Sequence, residues 1–150
     1  MKRILLLLAV LLSVGVLFIW AQGGLQAPDL LEHMDVYNAL VNQISDENTQ
    51  GPIVVYVYND GCRGCEEIIQ TLGHAGIFTS MKRKGVEVYS LRLDAEQRRP
   101  RTGSFHAKYP VSQTPTFFFF QDGKQKKRLN PEDIAPQTFK SALQRIGVNI

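Results

Sequence analysis

The two cysteines of the chain are the residues best suited to chemistry, because they lie three positions apart in Cys62-Arg63-Gly64-Cys65. At the start of a helix this spacing brings both sulfurs within one turn, where backbone N–H groups and the helix dipole stabilise a thiolate. Such a position can lower a thiol pKa from ~8.5 to between ~3.5 and ~7.5. The pattern predicts thiol-disulfide exchange, with Cys62 as nucleophile, Arg63 as a cation beside it, and Cys65 as the thiol that resolves a mixed disulfide.

Two other uses of the cysteine pair stay open. An inert structural disulfide would close a ring of only four residues, which constrains the unfolded chain little. A metal site needs further ligands, but the histidines, His33, His74 and His106, are scattered and lack ligand spacing to the cysteines. We therefore expect no metal and no other cofactor, and keep a copper chaperone that uses the two thiols as an alternative.

The N-terminus of the chain indicates export. Lys2 and Arg3 precede an uninterrupted run of apolar or small residues that ends at residue 21. This run is long for a signal-peptide core and short for a spanning helix, so a cleaved signal and a retained membrane anchor both stay open. We interpret residues 1–21 as this segment, 22–28 as a tether and 29–150 as one domain in the periplasm, where disulfides persist.

The charge of the chain is nearly balanced. The formal net charge of +3 includes Lys2 and Arg3, and the remaining residues carry 15 basic and 14 acidic side chains. Short basic runs at 82–84, 98–101 and 126–128 have no interleaved aromatic residues, so we interpret them as solvated surface. We expect no nucleic-acid partner.

Hydrophobic patterning predicts a strand and a helix on either side of Cys62. Residues 53–58, Ile-Val-Val-Tyr-Val-Tyr, form an almost continuous β-branched and aromatic run, typical of a strand buried on both faces. Polar residues and Gly61 end this run, and apolar residues after Cys62 recur at helical spacing, with an interruption near Gly73 or Gly76. Cys62 is therefore expected at a helix N-terminus.

The rest of the chain predicts further helices and strands in an α/β order. The expected elements are a helix over 29–44, a strand over 86–93, a loop over 96–103, a short helix over 104–109, strands over 116–121 and 124–129 joined by Asp122-Gly123, and a closing helix bearing Phe139, Leu143 and Ile146. This order describes a central mixed sheet, parallel and then antiparallel, flanked by helices on both faces.

Two segments resemble the thioredoxin superfamily. Residues 51–65, which end in the Cys-x-x-Cys, are similar to the strand that leads into the active-site helix of that family. Residues 109–123, Tyr-Pro-Val-Ser-Gln-Thr-Pro-Thr-Phe-Phe-Phe-Phe-Gln-Asp-Gly, resemble the segment in which a cis-proline precedes the hairpin strand. The resemblance covers roughly 29–146 and implies a thioredoxin-like fold. It also implies that Pro115 is cis, that Thr114 faces the sulfurs, and that this loop pairs with the substrate backbone.

The sequence departs from thioredoxin itself around the cysteines. Gly61 and Arg63-Gly64 replace the tryptophan and the Gly-Pro of Trp-Cys-Gly-Pro-Cys, Tyr56 stands where thioredoxin has a buried, proton-accepting aspartate, Gln70 replaces a helix-kinking proline, and Glu66-Glu67 follow the second cysteine. Exported members of the superfamily, including monomeric periplasmic thioredoxins and the catalytic domains of disulfide isomerases, are more similar.

By this resemblance we expect a monomeric oxidoreductase that reduces or isomerises disulfides in periplasmic proteins, supplied by a membrane electron donor. Cys62 and Cys65 are its expected catalytic, redox-active pair, and Thr114, Pro115 and Arg63 its expected substrate contacts. Oxidases, reductases and isomerases share these residues and differ in reduction potential. The alternative from a different class is a binding module that keeps the fold and holds a partner or copper without redox turnover.

Overall fold

The computed structural model describes residues 40–42, 44, 51–94 and 104–150. The expected leader, the tether, most of the first helix and the loop over 96–103 lie outside these residues, although residues 40–42 are helical. None of the helices within the described ranges combines the length and the apolar character that a membrane span requires.

Four strands form one mixed sheet in the order β2-β1-β3-β4. The strands are β1 (Pro52–Tyr58), β2 (Glu87–Arg92), β3 (Thr116–Gln121) and β4 (Lys124–Leu129). β1 runs parallel to β2 and antiparallel to β3, and β3 pairs antiparallel with β4. The α/β prediction is confirmed, with β2 one residue shorter at each end than the 86–93 expected.

Five consecutive residues of β1, 53–57, are buried, as the continuous apolar run predicts for a strand covered on both faces. Because side chains alternate along a strand, β1 and β3 each contribute to two separate hydrophobic clusters. We call the first cluster the disulfide face, since it includes Cys65 together with Val54, Tyr56, Phe117 and Phe119. The second, the opposite face, includes Ile53, Val55, Val57, Phe118 and Phe120.

Helices cover both faces of the sheet. They are α1 (Arg63–His74), α2 (Ile77–Arg83), α3 (Phe105–Lys108) and α4 (Pro136–Gln144), with a 3-10 turn at Pro131–Asp133. Buried residues of α1, α2 and α4 belong to the disulfide face, whereas Leu40, Ile44 and Phe105 pack on the opposite face. The expected interruption falls between α1 and α2 at Gly76, whose positive φ of 69° suits glycine.

The β3–β4 hairpin turns at Asp122-Gly123 with φ values of 52° and 67°, as a two-residue type I′ turn requires. The closing helix ends two residues before Ile146, to which the apolar spacing predicts it would extend. It ends at Gln144, because Gly147 at φ 78° reverses the chain and the Val148 N–H donates to the Leu143 carbonyl at 3.0 Å. Ile146 is nevertheless buried, from the turn rather than from the helix.

Candidate active site

Cys62 is the N-cap residue of α1, as the sequence predicts. Its extended backbone (φ −77°, ψ 94°) lets the sulfur turn back over the first turn of the helix, where the N–H of Cys65 donates to Cys62 Sγ at 3.2 Å. An N–H donor and the positive end of the helix dipole both favour negative charge on this sulfur. The position thus supports a Cys62 thiolate in the reduced protein.

Cys62 and Cys65 form a disulfide, with their Cα atoms 5.2 Å apart. The two sulfurs differ in access: Cys62 is partly exposed, whereas Cys65 is 4% exposed and belongs to the hydrophobic cluster of the disulfide face. A protein substrate can therefore reach Cys62, while Cys65 is reached through Cys62.

The loop before β3 lies against the first sulfur. The Thr114–Pro115 peptide bond is cis, which matches the resemblance, and Pro115 is buried. The Thr114 hydroxyl donates to Cys62 Sγ at 3.6 Å, and the Thr114 carbonyl oxygen lies 3.9 Å from the same sulfur. Because a disulfide sulfur has no hydrogen, that carbonyl can accept from Cys62 only when Cys62 is a reduced thiol.

Arg63 lies beside Cys62 but points along the outer surface of α1. Its Nε donates to the Glu67 carboxylate at 2.8 Å, and the two side chains are 90% and 62% exposed. The positive charge is thus shared with a carboxylate one turn away, in water. Arg63 can contact a bound substrate, whereas its effect on the Cys62 thiolate is screened.

A pocket of about 270 Å³ opens beside the disulfide, between the end of β1 and the start of α1. Sequence reasoning did not predict it, although Tyr56 and Tyr58, two apart on one strand, share a side of the sheet. Its lining combines aromatic and aliphatic surface with two carboxylates and both cysteines: Tyr56, Tyr58, Asn59, Asp60, Gly61, Cys62, Cys65, Glu66 and Ile69.

Tyr56 forms the inner wall of this pocket. Its ring stacks on Tyr58 and Phe117, with centroids 5.5 Å and 4.7 Å away. Burial first, and then the charges of Tyr58 and Glu66, raise the pKa of Tyr56 above its ordinary value. The phenol is therefore neutral at physiological pH, and it cannot replace an ionised carboxylate as a proton acceptor.

The structure brings four of the five predicted site residues, Cys62, Cys65, Thr114 and Pro115, to one place, with Arg63 at its exposed rim. In the described part of the chain, no group of three or more His, Cys, Asp or Glu side chains could hold a metal ion. His106, one of the scattered histidines, accepts a hydrogen bond at Nδ1 from the Val111 N–H at 3.4 Å.

No family model matches the chain. Its fold is similar to three solved thioredoxins. Thioredoxin O2 from Arabidopsis thaliana, in the oxidised state, aligns with a TM-score of 0.57 and 20% identity over 78% of this chain and 91% of that one. The germline-specific thioredoxin Deadhead of Drosophila melanogaster aligns with a TM-score of 0.55 and 16% identity over 78% of this chain and 97% of that one. Fasciola hepatica thioredoxin aligns with a TM-score of 0.51 and 22% identity over 71% of this chain and 88% of that one.

These likenesses show that the protein has the thioredoxin fold, as the two sequence segments imply. In this fold the chain places a Cys-x-x-Cys disulfide at a helix N-terminus, facing a cis-proline loop.

Proposed function

We propose that the protein is an exported thiol-disulfide oxidoreductase that reduces disulfides in periplasmic proteins. One observation carries this proposal: a disulfide caps α1 with one accessible and one buried sulfur, and the accessible sulfur touches the Thr114–Pro115 loop. A purely structural disulfide needs no such difference in exposure. Thiol-disulfide exchange, in contrast, requires one accessible sulfur that reacts with the substrate and a second sulfur that resolves the mixed disulfide.

Reduction proceeds in two exchanges. The Cys62 thiolate attacks one sulfur of the substrate disulfide, so that a bond forms between Cys62 and the substrate, and the second substrate sulfur leaves as a thiolate. Cys65 then loses its proton and attacks Cys62 Sγ, which restores the Cys62–Cys65 disulfide and releases the first substrate sulfur. The substrate gains two electrons and two protons, and the protein loses them.

The side chains around Cys62 have separate roles in this scheme. The Cys65 N–H and the Thr114 hydroxyl, at 3.2 Å and 3.6 Å from Cys62 Sγ, stabilise its thiolate. Pro115 leaves the backbone beside it open to an extended substrate segment, as the resemblance implies. Arg63, being 90% exposed, contacts the substrate rather than the sulfur.

One feature of the sequence and the chemistry of the redox cycle support the cellular part of the proposal. The charged and apolar N-terminus is typical of an export signal or membrane anchor, and it would hold the domain in the periplasm. Each turnover leaves the cysteines oxidised, so a dithiol electron donor must reduce them again, and we place this donor in the membrane beside the domain. The two cysteines of a single monomer are enough for this cycle.

The test is a reduction assay with the full-length protein in detergent. We expect the wild-type protein to reduce insulin disulfides with dithiothreitol as donor, Cys62→Ser to be inactive, and Cys65→Ser to accumulate a mixed disulfide on Cys62. Equal insulin reduction by Cys62→Ser and wild type would contradict the proposal and favour a binding module.

The direction of electron flow is tested by the reduction potential of the Cys62/Cys65 pair, measured in glutathione and dithiothreitol buffers. A potential near that of thioredoxin, about −270 mV, supports a reductase, whereas a value near about −120 mV would make the protein an oxidant.

A further inference from the structure

The resolving step poses a chemical problem at Cys65. Its side chain is 4% exposed and packs in the hydrophobic cluster of the disulfide face. Burial in apolar surroundings favours the neutral thiol, yet only the thiolate attacks a disulfide. A proton must therefore leave Cys65 while a substrate covers Cys62 on the outer side.

The pocket beside the disulfide contains carboxylates that can accept this proton. Cys65 lines it, as do two carboxylates, Asp60 and Glu66. Asp60 is held by Arg92, whose Nη1 donates to it at 3.0 Å. Glu66 follows Cys65 directly in α1, and within the part of the chain that the structure describes it makes no ion pair.

The next glutamate points elsewhere. Glu67 is ion-paired with Arg63 on the outer surface of α1 and does not line the pocket. Glu66, in contrast, is exposed to solvent but also lines the pocket together with Cys65. Of these two adjacent glutamates, Glu66 alone lines the pocket that reaches Cys65.

We propose that Glu66 is the general base of the resolving step: its carboxylate takes the Cys65 proton, directly or through water in the pocket, as the Cys65 sulfur attacks Cys62. The Cys62–Cys65 bond forms, the bond from Cys62 to the substrate breaks, the substrate sulfur leaves with the electron pair, and Glu66 is left protonated until solvent removes the proton. This inference rests on the proposed function and adds a catalytic residue to it.

The other titratable groups that line the pocket do not compete for this role. Tyr56 and Tyr58, from β1, are phenols, and burial raises the pKa of Tyr56 so that it stays neutral. Asp60, in the loop before α1, is ion-paired with Arg92. Cys62 is bonded to the substrate during this step, and no lysine, arginine or histidine is among the lining residues.

The test follows the two exchanges separately in the full-length protein. The reduced protein is mixed with 5,5′-dithiobis(2-nitrobenzoate) in a stopped-flow instrument. Attack by Cys62 releases one thionitrobenzoate in a phase that depends on reagent concentration, and attack by Cys65 releases the second in a phase that does not. We expect Glu66→Gln to slow the second phase about tenfold or more and to change the first phase less than about twofold.

Glu67→Gln is the matched control, because it removes the same charge from the same helical turn but from outside the pocket. It should leave both phases within about twofold of wild type. The pH dependence gives an independent readout: the second phase of wild type should change little between about pH 6 and 8, whereas that of Glu66→Gln should rise with pH, since hydroxide must then remove the proton.

The outcomes separate the two proposals. Suppose that wild type shows both phases and that Glu66→Gln has the same rate and the same pH profile in the second phase. This result would overturn the role of Glu66 and leave the redox function standing. Release of only one thionitrobenzoate by the reduced wild-type protein would overturn both.

Discussion

The two faces of the sheet are built from the same strands but carry different chemistry. On the disulfide face, Phe117 stacks on Tyr56, which lines the pocket shared with Cys65. On the opposite face, Phe118 packs edge-on against Phe105 at 5.2 Å, within a cluster that includes neither cysteine. Neighbouring residues of one strand thus belong to a reactive core and to a purely structural one.

This difference shows how a small domain can separate stability from reactivity. Every second residue of β1 and β3 can change the environment of the sulfurs, whereas the residues between them change only packing. The one-residue alternation of a strand is enough to isolate the two effects, and substitutions on the two faces can therefore be compared at equal burial.

The largest expected effect is on stability, and it should be the same on both faces. Phe117 and Phe118 are each 1% exposed, so Phe117→Ala and Phe118→Ala should each lower the free energy of unfolding by about 3–5 kcal/mol. Urea unfolding monitored by circular dichroism measures both losses. Gln125→Ala, at an exposed position of β4, is the control and should change stability by less than about 0.5 kcal/mol.

Thiol exchange, measured on the folded fraction of the same two variants, then distinguishes the faces. Phe117→Ala removes the ring that supports Tyr56 in the pocket wall, so the second phase of thionitrobenzoate release should change at least about threefold, because small shifts of reacting groups alter rates strongly. Phe118→Ala should leave that phase unaltered. Equal effects on the rate in both variants would mean that the two faces are not chemically separate.

The next expected effect is a loss of stability at alkaline pH, and each face contributes one tyrosine to it. Tyr56 belongs to the disulfide face, and Tyr89 packs against the opposite face. Burial, with a hydrogen bond of 2.8 Å to Glu87 and the charge of that residue, raises the pKa of Tyr89 to about 12, and burial raises that of Tyr56 too.

The sign follows from proton binding. Above the ordinary pKa of 10.0, the unfolded chain loses these protons while the folded protein keeps them, so stability falls as pH rises from 10 towards 12. Tyr56→Phe and Tyr89→Phe should each make this fall shallower, and the double variant should show the shallowest fall. Urea midpoints between about pH 9 and 12 measure it. Parallel curves for wild type and all variants would mean that the fold keeps neither phenol neutral.

The pattern of residues is sufficient to predict the elements whose signals are local. The β-branched run at residues 53–58 and the Asp122-Gly123 turn specify a buried strand and a tight hairpin by their own conformational preferences. The Cys-x-x-Cys and the Thr114-Pro115 segment predict the juxtaposition at the site only through the resemblance, because no periodicity in the sequence reports which loop packs on which helix.

Features that depend on the fit between elements could not be predicted. The pocket lies between the end of β1 and the first turns of α1, so its lining joins residues as far apart in the chain as Tyr58 and Ile69. The early end of α4 depends on the positive φ of Gly147, whereas the apolar spacing alone continues to Ile146. The shift of register between Phe119 and Phe120, in the pairing with β4, leaves no trace in the run of four phenylalanines.

The smallest expected effect concerns Arg63 and Glu67, which lie on the solvent side of α1 and belong to neither face. Their ion pair spans one helical turn, with side chains 90% and 62% exposed. Exposed pairs at this spacing contribute little, because water and salt screen the charges and both side chains lose freedom. A double-mutant cycle of Arg63→Ala and Glu67→Ala should give a coupling below about 0.5 kcal/mol in urea unfolding.

The Arg63→Ala variant of this cycle also tests the influence of Arg63 on the accessible sulfur, Cys62 Sγ. If water screens the guanidinium, Arg63→Ala should slow the first phase of thionitrobenzoate release by less than about threefold, and the difference should vanish in about 1 M salt. A larger, salt-resistant loss would mean that Arg63 acts on the Cys62 thiolate at close range. The contrast between a reactive interior face and a chemically passive helix surface would then hold for Glu67 but not for Arg63.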